Sequence, residues 1–191
     1  PDQGPDQHKH WTAAEWRELP EDRNRYEIID GELFVTPAPV FDHQRVVMRI
    51  YDQLNRYIAG TSIGEVVMSP ADIELADDTV VQPDVFVVPL VGGVRPRTWR
   101  DVTGLLLAVE VLSSSTARSD RTVKRRRYQR EGVPEYWIVD ADARIVERWR
   151  PEDERPEVHS ERLDWKPDPS AEPLIIDLPG LFADAVGASL R

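Results

Sequence analysis

The sequence predicts an α/β (α+β) fold in which helices flank a mixed central β-sheet. Apolar residues recur every three or four positions over residues 42–60, which indicates a long helix with one buried face. The run 105–112 is apolar except at one position, a pattern typical of a strand covered on both faces. A second, strongly basic helix is predicted over residues 119–130. Two helices around several short strands favour a layered domain over a helix bundle or a β-sandwich.

The size and composition of the chain fit one soluble domain. Its 191 residues are 40% hydrophobic and 31% charged, which is enough apolar material for one core but too little chain for two. We expect the domain to span residues 11–191 and the polar residues 1–10 to form a disordered lead-in without a signal peptide. No apolar run approaches the roughly 20 residues of a membrane span. Cysteine is absent, which excludes thiolate metal sites and leaves a cytoplasmic location as the default expectation.

The other elements are predicted from caps, turns and alternating patterns. Thr12 and Glu15 form a capping box for a short helix. The pair Asp30-Gly31 predicts a tight hairpin turn, and Asp42 is expected to cap the long helix. Strands are predicted at residues 26–30, 32–36, 65–68, 72–75, 85–88, 135–139 and 144–150, with a surface excursion at 151–173 and a return to the core at 174–178 and 181–182.

Two acidic residues stand where a carboxylate is costly. Glu110 lies inside the apolar run 105–112, and Asp84 directly precedes Val-Phe-Val-Val. Because burying an unpaired charge is strongly unfavourable, each acid needs a partner. Carboxylates at the ends of adjacent strands can share a divalent cation, and their oxygens suit Mg²⁺ or Mn²⁺. The alternative for each acid is a loop cap or an ion pair with arginine, but the presence of two such acids favours the metal.

The helix that follows the Glu110 strand is the basic part of an acidic chain. Residues 118–130 include seven basic residues and one acid, a net charge of +6 against −17 for the rest. Lys124 shares a helix face with Tyr128, and a short connection could turn that face over the Glu110 end of the sheet. Candidate contacts to a nucleic-acid backbone are Arg118, Arg121, Arg125 and Arg126. The alternative is a solvated helix face on which Lys124 is simply exposed.

Seven short motifs follow one another in a distinctive order. They are Tyr26-Glu-Ile-Ile-Asp-Gly-Glu-Leu33, His43-Gln44, Val81-Gln-Pro-Asp84, Val109-Glu-Val-Leu-Ser113, Ser115-Thr116, Lys124 and Gly132-Val-Pro-Glu-Tyr-Trp-Ile-Val-Asp140. The set resembles a bacterial restriction-endonuclease-like family within the PD-(D/E)XK nuclease superfamily, from about Trp11 to Phe182. The resemblance implies a restriction-endonuclease-like core with an N-terminal β-hairpin.

The resemblance also implies roles for individual residues. Asp84 matches the aspartate of the PD element and Glu110 matches the second acid, both as metal ligands. The simplest form of the motif places a lysine two residues after that acid, where this chain has Leu112. Lys124 matches the lysine that the family places on the following helix. Glu27 matches an early acid that completes the metal shell or holds the lysine.

Further positions have open interpretations. His43 could contact a phosphate or the attacking water, or serve only as a hydrogen-bonding residue at a helix start. Ser114 stands where the family usually has proline, which we expect to loosen that turn. Tyr26, Tyr136 and Trp137 lie in apolar runs and are expected to be core aromatics rather than base-stacking platforms.

The leading hypothesis is a metal-dependent endonuclease that hydrolyses phosphodiester bonds in DNA, with RNA left open as a substrate. Mg²⁺ or Mn²⁺ would polarise the phosphate, and Lys124 would position the attacking water. The alternative is a catalytically inactive nuclease fold that acts as a nucleic-acid-binding or protein-interaction module. The net charge of −11 favours this alternative, whereas the intact set Asp84, Glu110 and Lys124 opposes it. A homodimer is also considered, because cutting two strands requires two sites.

Overall fold

The computed structural model of the protein describes residues 9–187, and residues 1–8 and 188–191 lie outside it. In chain order the elements are α1 (Ala13–Trp16), β1 (Arg25–Ile29), β2 (Glu32–Thr36), α2 (Phe41–Ile58), β3 (Gly64–Met68), β4 (Ile73–Ala76), β5 (Thr79–Val81), β6 (Val85–Pro89), a 3₁₀ turn (Trp99–Asp101), β7 (Leu107–Val111), α3 (Ala117–Ser119), a π-helical turn (Asp120–Lys124), α4 (Arg125–Arg130), β8 (Glu135–Asp140), β9 (Ile145–Trp149), β10 (Glu157–His159), β11 (Arg162–Trp165), β12 (Leu174–Asp177) and α5 (Leu178–Val186). The lead-in predicted at residues 1–10 falls, apart from Lys9 and His10, outside the described residues.

The N-terminal elements form as their sequence signals predict. The amide of Glu15 donates to the Thr12 hydroxyl at 3.3 Å, and the amide of Thr12 donates to the Glu15 carboxylate at 3.0 Å, which confirms the capping box. β1 and β2 pair antiparallel around Asp30 and Gly31. These two residues have φ angles of 54° and 77°, and a two-residue hairpin turn of this type requires positive φ at both positions. The hairpin belongs to a four-stranded sheet with the order β2-β1-β5-β4, in which β5 was not predicted.

The central sheet has six strands in the order β10-β9-β8-β7-β6-β3. β7 and β8 run parallel, whereas the other neighbouring pairs in this sheet are antiparallel, so the mixed sheet is confirmed. The register of β6 and β7 pairs Val85 with Val109. Because Asp84 precedes Val85 and Glu110 follows Val109, the two acids lie at the same end of neighbouring strands.

Helix α2 packs its apolar face against the sheet, as the periodicity predicts. The buried apolar residues of that face are Val46, Val47, Ile50, Leu54 and Ile58. The predicted cap was wrong, because the helix begins at Phe41 with Val40 as its N-cap residue. Asp42 instead lies in the first turn, where a carboxylate still interacts favourably with the helix dipole.

The segment predicted as a surface excursion contributes two strands. β10 extends the central sheet by pairing with β9, and β11 pairs with β12. Leu163 and Trp165 in β11 are 1% and 2% exposed, so the prediction was wrong for this part of the segment. Their alternation with Arg162 and Asp164 is a strand signal that the acidic, proline-rich surroundings obscured. The return to the core is confirmed by the fully buried Phe182.

Large aromatic side chains fill the core around the central sheet and the four-stranded sheet. Tyr26, Tyr136 and Trp137 are 8%, 1% and 1% exposed, which confirms that they are core residues. The rings of Trp137 and Trp165 meet edge to face with centroids 6.3 Å apart. In residues 9–187 no helix has the length and apolarity to cross a membrane.

The burial of Trp165 predicts that the C-terminal strands stabilise the whole domain. We expect Trp165→Ala to lower the free energy of unfolding by about 3 to 5 kcal/mol, because it removes a large side chain from a packed core. Urea unfolding followed by circular dichroism measures the loss. Trp99→Ala is the control, because Trp99 is 46% exposed and its loss should be smaller. Equal losses in the two variants would show that Trp165 stabilises the domain no more than a partly exposed tryptophan does.

Candidate active site

Five elements bring ionisable side chains together at one end of the central sheet. Asp84 precedes β6, Glu110 lies in β7, Glu27 lies in β1, His43 lies in the first turn of α2, and Lys124 ends the π-helical turn. These side chains are all buried, with exposed fractions between 1% for Lys124 and 8% for His43. The structure therefore gathers all five predicted site residues, although they are widely separated along the chain.

The Lys124 ammonium lies among three carboxylates. Its Nζ is 2.8 Å from Glu27 Oε2, 3.0 Å from Glu110 Oε1 and 3.5 Å from Asp120 Oδ1. Lys124 is 1% exposed, so the alternative of an exposed lysine on a solvated helix face was wrong. The pKa of Lys124 is raised well above its ordinary range, because the three acids more than offset the burial that would lower it.

Asp84 is held by two side chains and by the backbone. Its Oδ1 accepts a hydrogen bond from Arg25 at 2.8 Å, and its Oδ2 accepts one from the Val111 amide at 2.8 Å. His43 Nε2 lies 3.2 Å from the same Oδ2 and 2.9 Å from the Val111 carbonyl oxygen. Asp84 therefore has the arginine partner that the sequence left open as an alternative to a metal.

The surroundings of Asp84 and Glu110 shift the pKa values of these two neighbouring acids in opposite directions. Burial alone would raise the pKa of Asp84, but the hydrogen bond from His43 and the charge of Arg25 lower it to about 2. Burial raises the pKa of Glu110 well above its ordinary value, against the charge of Lys124 and with added repulsion from Asp84. Two acids with such different environments are typical of sites that carry chemistry.

The π-helical turn fixes the backbone that carries Asp120 and Lys124. The Arg125 amide donates to the Asp120 carbonyl, five residues back, which is the hydrogen bond of a π-helix. The Tyr136 hydroxyl donates to the same carbonyl at 3.1 Å. The sequence predicted a regular helix here, because no local residue pattern distinguishes such a turn. Turns of this kind occur frequently at functional sites.

Glu27 links the lysine to the loop that precedes β6. Its Oε1 accepts a hydrogen bond from the Gln82 amide at 2.8 Å, while its Oε2 pairs with Lys124. The resemblance implied two alternatives for this acid, completing a metal shell or holding the lysine. In the described geometry Glu27 contacts the lysine.

Two residues of the site were not predicted from the sequence. Arg25 lies two residues before Glu27 in the same strand, so alternation places both side chains on one face. Asp120 stands four residues before Lys124 and is the one acid in the basic run, which is ion-pair spacing on a helix. Both spacings were available signals, but neither identifies a site until its partners are known.

The four arginines predicted to contact nucleic acid have different surroundings. Arg121 pairs with one acid of β8 at 3.1 Å and one acid of β9 at 2.7 Å. Arg125 lies over the ring of Trp149, 4.6 Å from its centroid. Within residues 9–187 the side chains of Arg118 and Arg126 have no ion pair. Arg121 and Arg125 therefore fasten the helix to the sheet, which leaves Arg118 and Arg126 available to a ligand.

The chemistry of the donor set fits a hard divalent cation. Four buried carboxyl groups lie beside Lys124 or Arg25, so oxygen ligands outnumber the two basic side chains; they are Glu27, Asp84, Glu110 and Asp120. Among the described residues no three acidic or histidine side chains already form a metal cage. Mg²⁺ is commonly held by one or two carboxylates, with waters and substrate phosphates completing its shell. Asp84 and Glu110 would therefore suffice as protein ligands.

A mixed sheet with Asp84 and Glu110 at the same end of adjacent strands, and Lys124 on the following helix, is the arrangement that the resemblance to restriction-endonuclease-like proteins implied. The family model described as "Uma2: Putative restriction endonuclease" matches residues 13–178, so the chain belongs to that family. A solved structure described as a "putative nuclease belonging to DUF820" from Anabaena variabilis ATCC 29413 is similar, with a TM-score of 0.72 and 20% sequence identity over 92% of this chain and 99% of that chain. At this identity the likeness shows the fold. Curated proteins gave no match.

The low pKa of Asp84 predicts a pH-dependent contribution to stability. A carboxyl whose pKa falls from 3.8 to about 2 on folding stabilises the protein above the unfolded value and loses that effect as pH drops through the folded value. Between about pH 5 and pH 2 we expect the free energy of unfolding to fall by about 2 kcal/mol more in the wild type than in Asp84→Asn. Urea unfolding at each pH measures the difference.

The exposed Asp142 provides a matched control for this experiment. Asp142→Asn should follow the wild-type dependence on pH. An Asp84→Asn protein that also follows the wild type, or that is as stable as the wild type at neutral pH, would contradict the described contacts of Asp84.

Proposed function

We propose that the protein is a metal-dependent endonuclease that hydrolyses phosphodiester bonds in DNA, with Mg²⁺ or Mn²⁺ as its cofactor. The observation that carries this proposal is the meeting of Asp84, Glu110 and Lys124 at one end of the sheet, with Lys124 Nζ 3.0 Å from Glu110. Membership of a family described as a restriction endonuclease supports a nuclease function. We further propose that residues 11–191 act as one cytoplasmic domain and that two copies associate to cut both strands of a duplex.

Hydrolysis adds water across a P–O bond of the substrate. The water oxygen attacks phosphorus, the bond to the leaving sugar oxygen breaks, and that oxygen takes up a proton. Asp84 and Glu110 would hold a divalent cation, which would supply Lewis acidity toward the phosphate and lower the pKa of a bound water. The Lys124 ammonium orients the water and stabilises the negative charge that builds up on the phosphate.

The remaining site residues hold these groups and donate hydrogen bonds. Glu27 holds the ammonium at 2.8 Å and keeps it beside Glu110. His43 and the 17%-exposed side chain of Arg25 flank Asp84 and provide donors for a phosphate oxygen or the attacking water. Arg118 and Arg126 provide positive charge for the backbone of the substrate, without reading its sequence.

Substitution of Glu110 and Lys124 tests the proposed chemistry. We expect the wild type to cut supercoiled, linear or single-stranded DNA with Mg²⁺ or Mn²⁺ and to stop when the metal is chelated. Glu110→Gln and Lys124→Met should each lower the cutting rate by about 100-fold or more, because the first removes a ligand of the cation and the second removes the ammonium that acts on the phosphate. RNA is assayed in parallel to identify the substrate, and gel electrophoresis measures cutting.

Matched controls separate the site from contamination. Glu65→Gln and Lys166→Met make the same chemical changes at exposed positions and should keep wild-type rates. Cutting that persists in both site variants indicates a contaminating nuclease. A wild type that binds nucleic acid or a partner protein but never cuts would favour the inactive interaction module instead.

Arg118 and Arg126 predict a salt-dependent contribution to DNA binding. Each of Arg118→Ala and Arg126→Ala should weaken binding at low salt and reduce the slope of log affinity against log salt by about 1, because each removes one phosphate contact. Fluorescence anisotropy with labelled DNA measures both quantities. Arg162→Ala is the control, because it removes an exposed arginine from a strand outside the site. An unchanged slope in both helix variants would place the DNA elsewhere on the surface.

A further inference from the structure

Asp120 is the acid of the site whose presence the proposed chemistry leaves unexplained. It is 1% exposed, and neither of its carboxylate oxygens accepts a hydrogen bond of normal geometry from residues 9–187. Burial raises the pKa of Asp120, against the charge of Lys124 and a smaller effect of the Thr116 hydroxyl. A buried carboxylate without full hydrogen bonding destabilises the folded state. Buried polar groups that lack their hydrogen bonds are expected mainly at functional positions.

The backbone holds the Asp120 side chain beside Lys124. The Asp120 amide donates to the Thr116 carbonyl at 2.9 Å, and the Asp120 carbonyl accepts from the Arg125 amide and from the Tyr136 hydroxyl. These contacts fix the residue at the start of the π-helical turn. Its Oδ1 is consequently kept 3.5 Å from Lys124 Nζ, slightly beyond a hydrogen bond.

The charges around Lys124 indicate a specific role for Asp120 as an acceptor for the ammonium. An ammonium has three N–H donors, and two of them face Glu27 and Glu110 at 2.8 Å and 3.0 Å. A cation bound at Glu110 would compete with the ammonium for the negative charge of that carboxylate. The ammonium would then need a second anion besides Glu27. Asp120 is the neighbouring acid with free acceptor capacity.

We propose that Asp120 is a positioning residue, the second anchor that keeps the Lys124 ammonium directed at the reacting phosphate when Glu110 is engaged. The proposal rests on the proposed nuclease function, which assigns Glu110 to the cation and Lys124 to the phosphate. Asp120 acts through Lys124 and contacts neither substrate nor cation. Its burial without a hydrogen-bond donor on either carboxylate oxygen is a cost in stability that the sequence retains for the site.

Asp120→Asn separates positioning from structure, because it keeps the shape of the side chain and removes its charge. We expect kcat to fall about 10- to 100-fold with little change in KM, because the lysine is misplaced in the reacting complex. The unfolding midpoint should stay equal or rise, because an amide is less costly to bury than a poorly solvated carboxylate. Thr122→Ala, an exposed change in the same π-helical turn, should alter neither quantity.

A spectroscopic measurement reports the lysine directly. The chain has three lysines, Lys9, Lys124 and Lys166, and Lys124 is the buried one. ¹⁵N labelling of lysine therefore gives an ammonium signal whose slow hydrogen exchange identifies Lys124. We expect Asp120→Asn to accelerate this exchange severalfold and Thr122→Ala to leave it unchanged.

The outcomes distinguish this proposal from the proposed function. Reduced kcat, faster lysine exchange and an undiminished unfolding midpoint support a positioning role for Asp120. Unchanged exchange, or an unfolding midpoint that falls together with activity, overturns it in favour of a purely structural role. If the wild type cuts no nucleic acid, the proposed function fails. The lysine signal still decides whether Asp120 positions Lys124, because it requires no activity.

Discussion

The ion cluster around the Lys124 ammonium is the interaction on which the rest of the site depends. A fully buried ammonium is tolerated only with anions around it, and here they come from β1, β7 and the π-helical turn through Glu27, Glu110 and Asp120. The cluster thus joins the N-terminal hairpin, the central sheet and the basic helix at one point. Loss of Glu27 or Glu110, the two acids within hydrogen-bond distance of the ammonium, would leave its charge poorly compensated, so the cluster ties the hairpin and the sheet to the basic helix.

The site as a whole gives the neighbouring acids Asp84 and Glu110 two different environments. Asp84 faces Arg25 and His43, which favour its charged form, whereas Glu110 shares one lysine with two other carboxylates. The first acid stays ionised, whereas burial beside other carboxylates raises the pKa of the second. In the basic helix, Arg121 and Arg125 contact residues of the sheet. Fewer of its positive charges are therefore free to contact a phosphate backbone than the composition of the helix indicates.

Local patterns predicted most elements of the fold correctly. The capping box at Thr12, the Asp30-Gly31 turn and the periodicity of α2 are each fixed by nearby residues, so they could be identified without tertiary contacts. β5, β10 and β11 were missed because they are only three or four residues long, and short strands are decided by their pairing partners. The surroundings of Trp165 are acidic and rich in proline, which indicated a loop, but its burial against Trp137 overrode that composition.

By itself the sequence determined that Asp84 and Glu110 need partners, because a carboxylate beside a buried strand is costly wherever the strand lies. It also determined the family, through an ordered set of motifs along nearly the whole chain. Only the tertiary structure decided which partner each acid has. Ion pairing depends on distances of a few ångströms between residues far apart in the chain, as between Arg25 and Asp84 or Lys124 and Glu27. Such distances are set by sheet register and helix placement, which no local pattern encodes.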